Sequence, residues 1–236
     1  MISVKNLTKC YIKNKPAVDN LSLEINAKDL FAFIGHNGAG KTTLIKAICG
    51  IIDFDGGEII IDGKDIKKEP NECKKVISYV PDNPDIYNFM TGMQYLNFIA
   101  DIYNIENVER QKLVEKFAKE LGIDKNLSQK ISEYSHGMKQ KLVLVSAFIR
   151  KPKILILDEP FVGLDPIAAH TLKELMKDFC DNGGAIFFST HVLEVAEKLC
   201  NRVAIIKKGK IIKCGSMKEI KGDSSLENLF LELENE

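Results

Sequence analysis

Gly35-His36-Asn37-Gly38-Ala39-Gly40-Lys41-Thr42-Thr43 decides how this chain is read. It follows an apolar run, Leu30-Phe31-Ala32-Phe33-Ile34, and opens a stretch of helical character, Leu44-Ile45-Lys46-Ala47-Ile48. This is the G-x-x-x-x-G-K-S/T pattern in the strand, loop, helix context that a phosphate-binding loop requires. Gly35, Gly38 and Gly40 permit a tight turn and let backbone N–H groups approach phosphate oxygens with no Cβ in the way. The start of the following helix adds a fixed partial positive charge. Lys41 is expected to reach the β- and γ-phosphates as a mobile point charge, and the Thr42 hydroxyl to ligate Mg²⁺. A glycine-rich turn ahead of a surface helix is the plainer alternative, and it leaves the flanking strand and helix unexplained.

The 236 residues are 45% hydrophobic, enough for one large domain or two small ones with a sizeable core. Thirty-three Lys and Arg cancel thirty-three Asp and Glu, so no global field draws the chain to nucleic acid or an anionic membrane. The six cysteines never form C-x-x-C, and no His pair stands at metal-ligand spacing beside them. Scattered, reduced thiols in a cytosolic protein are the expectation. Lys, Asp or Glu interrupts every apolar run before it reaches the roughly 18 to 20 residues of a membrane helix. The N-terminus lacks the apolar core of a signal peptide, so the chain is expected to be soluble whatever it docks on.

Taken in order, residues 1–34 read as short β segments, with Leu21, Leu23 and Ile25 alternating against polar neighbours. Tyr11 lies between polar stretches, placed either to stack on an adenine ring or to be an ordinary strand-edge tyrosine. Glu58-Ile59-Ile60-Ile61 is a β-branched strand between turns, and Ile77 to Pro81 is a further short buried strand. From residue 92 to about 150 the period is helical: Tyr95, Phe98, Ile99 and Ile102 are expected to share one face, as are Leu113, Phe117 and Leu121. Strand character returns at Ile154-Leu155-Ile156-Leu157. A helix over 166–180, a strand over 185–189 and a helix over 192–199 follow, so right-handed crossovers and a parallel sheet are predicted. Residues 202–206 and 210–213 form strands joined by a hairpin loop at Lys207-Lys208-Gly209, and residues 224–236 read as a short acidic helix.

Two carboxylates, Asp158 and Glu159, end the strand that starts at Ile154, where α/β proteins bind ligands. Asp158 is expected to hold Mg²⁺ through water, and Glu159 to orient and polarise an attacking water. His191, after Ser189-Thr190 at the end of the next strand, is placed either to contact the γ-phosphate and that water or to be a surface or capping residue. Ser132 to Gly137 has the character of a helix cap, and Ser135 and Gly137 there offer a hydroxyl, N–H groups and a dipole to an anion.

With Tyr134-Ser135-His136-Gly137-Met138-Lys139-Gln140-Lys141 about 20 residues before Asp158, the chain resembles the ATP-binding subunits of ABC transporters from Tyr11 to the strands before Cys214. That resemblance implies an α/β fold: a phosphate-loop NTPase core with a parallel sheet over 1–83 and 152–215, and an N-terminal antiparallel β layer. An α-helical subdomain is inserted over 84–151, and a short helical tail spans 216–236. It implies ATP and Mg²⁺ as cofactors, with Gly35, Asn37, Gly38, Ala39, Gly40, Lys41, Thr42 and Thr43 on the phosphates and Tyr11 on the adenine. Ser135, Gly137 and Met138 would bind the ATP of a second ATP-binding subunit, identical or different, in a head-to-tail sandwich. Asp165, in Gly163-Leu164-Asp165, resembles the loop through which the two sites sense each other, and His191 resembles the switch histidine.

The sequence departs from the family pattern twice. Asp82 stands where a glutamine usually touches Mg²⁺; it can ligate the ion directly, reach it through water or miss it, and we read it as a water-mediated contact. His136 and Met138 replace commoner residues of the signature segment. With Glu159 and His191 intact, hydrolysis is expected. Tyr87, Phe89, Met90, Met93 and Tyr95 either form a groove on the helical subdomain for a membrane permease or fill that subdomain's core. The motif wording and short tail resemble exporter subunits, working at the cytoplasmic face of the cell membrane. The alternative is a soluble ABC-type ATPase acting on nucleic acid or ribosomes. The long coiled coils, zinc sites or paired ATPase domains usual there are missing from the sequence, so no nucleic-acid partner is expected.

Overall fold

In the computed structural model, which describes residues 1–13, 15–222 and 224–235, two sheets share the chain. The first elements are β1 (Ile2–Ile12), β2 (Lys15–Ile25), β3 (Leu30–Ile34), α1 (Lys41–Ile48), β4 (Gly56–Ile61), β5 (Lys64–Asp65), α2 (Pro70–Val76) and β6 (Ile77–Val80). Then come α3 (Gly92–Ile102), α4 (Asn107–Glu120), α5 (His136–Ile149), β7 (Ile154–Asp158), α6 (Pro166–Asp181), β8 (Ala185–Thr190) and α7 (Leu193–Leu199). The chain closes with β9 (Arg202–Lys207), β10 (Lys210–Ser216), α8 (Met217–Lys221) and α9 (Leu226–Asn235). Glu236, the last residue of the expected tail helix, lies outside the described residues.

The antiparallel sheet runs β2-β1-β4-β5, and the larger sheet runs β10-β9-β3-β8-β7-β6 with every neighbour parallel except the β9-β10 hairpin. Both faces of the larger sheet are covered, which is why its strands are continuous apolar runs. Phe31, Phe33, Ile154, Ile156 and Phe187 enter one core with β1, β2, β4 and α1. Ala32, Ile34, Leu155, Leu157 and Phe188 enter the other, with α3, α5 and α6. Phe187 is fully buried and touches the rings of Phe31 and Phe33, so truncating it to alanine costs about 3–5 kcal/mol. The six cysteines are free thiols. Burial pushes the Cys180 thiol up to about 12.

Packing corrects the face of α3 and widens that of α4. On α3 the buried set is Gly92, Tyr95, Leu96 and Ala100, while Phe98 and Ile102 are exposed. On α4, Val114 and Ala118 are buried, with Leu121 just past its end, and Leu113 and Phe117 are half-buried; Phe117 stacks on Phe148 with centroids 5.2 Å apart. One short helix, α2, stands where none is expected from the sequence, and α8 is a separate helix at the start of the expected helical tail.

Candidate functional site

Four parallel strands end at one edge of the sheet: β3 runs into Gly35, β6 into Asp82, β7 into Glu159 and β8 into His191. The phosphate loop there is wrapped too tightly for other residues at two glycines. A Cβ on Gly35 would lie 2.5 Å from the Ile206 carbonyl oxygen, and Gly40 has φ +112° with the Ala17 carbonyl 2.3 Å from where its Cβ would be. Gly209, in the two-residue turn between β9 and β10, donates its N–H to the Ala39 carbonyl at 2.9 Å. The loop is thus gripped by backbone from β2, β9 and the hairpin turn.

A cleft of about 210 Å³ opens above it, lined by Ala17, His36, Asn37, Gly38, Gly40, Lys41, Thr42, Thr43, Asp82, Asp158 and Glu159. Lys41 is buried and folded back, its ammonium donating to the carbonyls of Gly35 at 2.5 Å and His36 at 3.2 Å, with Glu159 Oε1 3.9 Å away. Burial lowers the Lys41 pKa, and the nearby Glu159 and Asp158 carboxylates oppose the shift.

The carboxylates are held by β8. Asp158 pairs with Ser189 across the sheet, Ser189 Oγ donates to Asp158 Oδ1 at 2.5 Å, and the Glu159 N–H donates to Ser189 Oγ at 3.0 Å. Glu159 has φ +48°, a conformation that costs a residue with a side chain about 1 kcal/mol or more and concentrates at working sites. Its Oε2 lies 2.9 Å from His191 Nδ1. Ser189 has no role in the sequence reading, because its function arises only when β7 and β8 lie side by side. Burial, then the nearby Asp158, Cys49 and Asp82, raises the Tyr79 pKa.

Oxygen donors from Thr42, Asp82 and Asp158 converge on this cleft. Among the described residues no group of three or more His, Cys, Asp or Glu is placed to hold a metal by itself. This donor set fits Mg²⁺, which takes one or two carboxylates and completes its shell with phosphate oxygens and water.

Ser135, Gly137, Met138 and Asp165 are elsewhere, around the start of α5, and none lines the cleft. Ser135 caps α5, its Oγ accepting from the Met138 N–H at 3.2 Å. Gly137 lies so close to the next loop that a Cβ would meet the Gly163 carbonyl at 2.4 Å, and the His136 ring lies against Gly163. Lys141 Nζ lies 2.6 Å from Asp165 Oδ2, while Asp165 Oδ1 caps α6 by accepting from the Ala168 N–H. The Lys141 ammonium and the Ala168 N–H hold the Asp165 carboxyl below its usual range. Tyr11 is 62% exposed near the β1-β2 turn, also outside the cleft lining.

Residues 18–162 match the profile of the family described as ABC transporter. This chain belongs to that family. The ABC-type transporter ATP-binding protein EcsA of Bacillus subtilis is 34% identical over all of this chain and 97% of its own length. A solved ATP-binding subunit of an ABC transporter is 31% identical and superposes with a TM-score of 0.94 over 99% of each chain. The protein cbiO1 of Clostridium perfringens, part of the ABC transporter complex cbiONQ, is 27% identical with a TM-score of 0.80, covering 99% of this chain and 96% of its own. The chain is an ABC ATPase subunit that binds and hydrolyses ATP on an α/β nucleotide-binding fold. Among its described residues no helix is long and apolar enough to cross a membrane.

Proposed function

We propose that this ABC ATPase subunit pairs head to tail with a second ATP-binding subunit and drives export through a separate membrane permease. The carrying observation is that the nucleotide cleft and the Ser135–Gly137 helix start occupy different places on one chain. A helix start with N–H groups and a dipole attracts an anion, and in an ATP sandwich that anion is the partner's γ-phosphate. Tyr11 contributes an adenine-stacking face, and Asp165, next to the loop under Gly137, senses the opposite site.

In the hydrolytic step Glu159 accepts a proton from the attacking water as that water's oxygen bonds to the γ-phosphorus. The β,γ-bridging P–O bond breaks toward ADP. His191, hydrogen-bonded to Glu159, keeps the carboxylate aimed. Thr42 and, through water, Asp158 and Asp82 would hold Mg²⁺, which when bound would neutralise phosphate charge.

Residues 84–151 form the helical subdomain in this reading, and Tyr87, Phe89, Met93 and Phe98 are its exposed patch for the permease. Tyr87 touches the rings of Phe89 and Phe98, whereas Tyr95 is buried and belongs to the core. The signature wording supports export, and a permease partner would hold the subunit at the cytoplasmic face of the membrane. The test is membrane retention of Phe89→Glu beside wild type in the native cell, with ATP affinity measured to confirm folding. Loss of retention is expected; equal partition of both into the soluble fraction contradicts the dock.

A further inference from the structure

We propose that α9 braces the phosphate loop: Phe230 positions His36, and through His36 the loop that receives the phosphates. The two rings lie 5.0 Å apart at 57°, and Phe230 is buried. His36 occupies one of the free positions of the phosphate-loop pattern, lines the cleft and is not required there by the pattern itself. Its backbone matters all the same. The His36 carbonyl accepts from Lys41 Nζ at 3.2 Å and from the Ala39 N–H at 3.1 Å, so a shift of His36 moves the resting place of the ammonium.

The helix that carries Phe230 is firmly seated. Leu226 and Leu229 are buried in the core behind the sheet, Lys207 Nζ donates to the Leu233 carbonyl at 2.7 Å, and the Leu226 N–H donates to Glu197 Oε2 at 2.9 Å. Glu197 also pairs with Lys221, just before α9, and Glu197 belongs to α7, which begins two residues after His191. The tail therefore ties together the loop on β3 and the helix that follows the catalytic edge of β8. The expected consequence is that ATP affinity depends on the ring at position 230.

This inference rests on the nucleotide site and not on the transport reading. The experiment measures MgATP binding and thermal unfolding of the full chain for wild type, Phe230→Leu, Phe230→Tyr and Leu229→Ala. Phe230→Leu keeps an apolar side chain but removes the ring pair, and should weaken ATP roughly three- to ten-fold. Phe230→Tyr keeps a ring and should bind within about two-fold of wild type. Leu229→Ala, buried on the same helix, should lower the melting temperature at least as much as Phe230→Leu with a smaller effect on ATP. In a His36→Ala background Phe230→Leu should add less than about a two-fold change, since the coupled partner is gone. Unchanged affinity in Phe230→Leu, or equal weakening in Leu229→Ala, overturns the brace. A wild-type chain that binds no MgATP overturns the site and the brace together.

Discussion

The cleft over the phosphate loop and the start of α5, the two regions proposed to meet nucleotide, are built differently. In the cleft Lys41, Asp158 and Glu159 each already have a counterpart within the chain: Lys41 rests on loop carbonyls, Asp158 on Ser189 and Glu159 on His191. At α5 the helix start is capped by its own Ser135 and packed on Gly163, with Ser135 and His136 exposed. The first region can bind ATP in a single chain. In the proposed sandwich the second meets the nucleotide of another subunit.

Changes in the two regions should separate binding from assembly. The largest effect is expected from Glu159→Gln, which should cut steady-state hydrolysis by about 10² to 10⁴-fold while MgATP still binds, measured by phosphate release and by titration. Gly137→Ala comes next. Its Cβ would be forced against the Gly163 carbonyl, costing about 1–3 kcal/mol in denaturant unfolding and lowering hydrolysis, with ATP binding to the single chain preserved. Equal loss of single-chain binding would break the division between the two regions.

Ser135→Ala should cost about 1 kcal/mol of stability through the lost cap, again sparing single-chain ATP affinity. Asp82→Ala should raise the Mg²⁺ concentration needed for half-maximal hydrolysis by roughly three-fold, the scale of one water-bridged contact. Wild-type Mg²⁺ dependence would remove Asp82 from the ion's surroundings.

The smallest effect is on pH. Burial holds Lys41 below its ordinary 10.5, so the folded chain releases this proton before the unfolded chain does. Between the lowered value and 10.5 the unfolded state binds more protons, and this group's contribution to stability rises with pH. ATP affinity, which needs the charged ammonium, should instead fall as pH climbs toward 10.5, measured by titration across that range.

Strand ends and the loop were legible because their signals are local. Leu30 to Ile34 and Ile154 to Leu157 are apolar on both faces, and the glycine spacing is written in the chain. Contacts made by folding were not. Ser189 acquires its role from the β7-β8 register, and His36 from a helix nearly two hundred residues later. Apolar residues wrap α3 almost all round, at 95, 96, 98, 99, 100 and 102, so several faces fit the pattern and packing against α5 selected one. Helix α2 buries Cys73 alone and carries no period. By contrast α8 had a readable signal: Ser216 and Glu219 form a capping box.

The most direct measurement is the mass in solution of the Glu159→Gln chain with MgATP and with ADP, by light scattering. The head-to-tail account predicts a dimer with MgATP that returns to monomer with ADP, and loss of that dimer when Ser135 and Gly137 are also changed. A Glu159→Gln chain that binds MgATP and stays monomeric contradicts a sandwich between two copies of this chain.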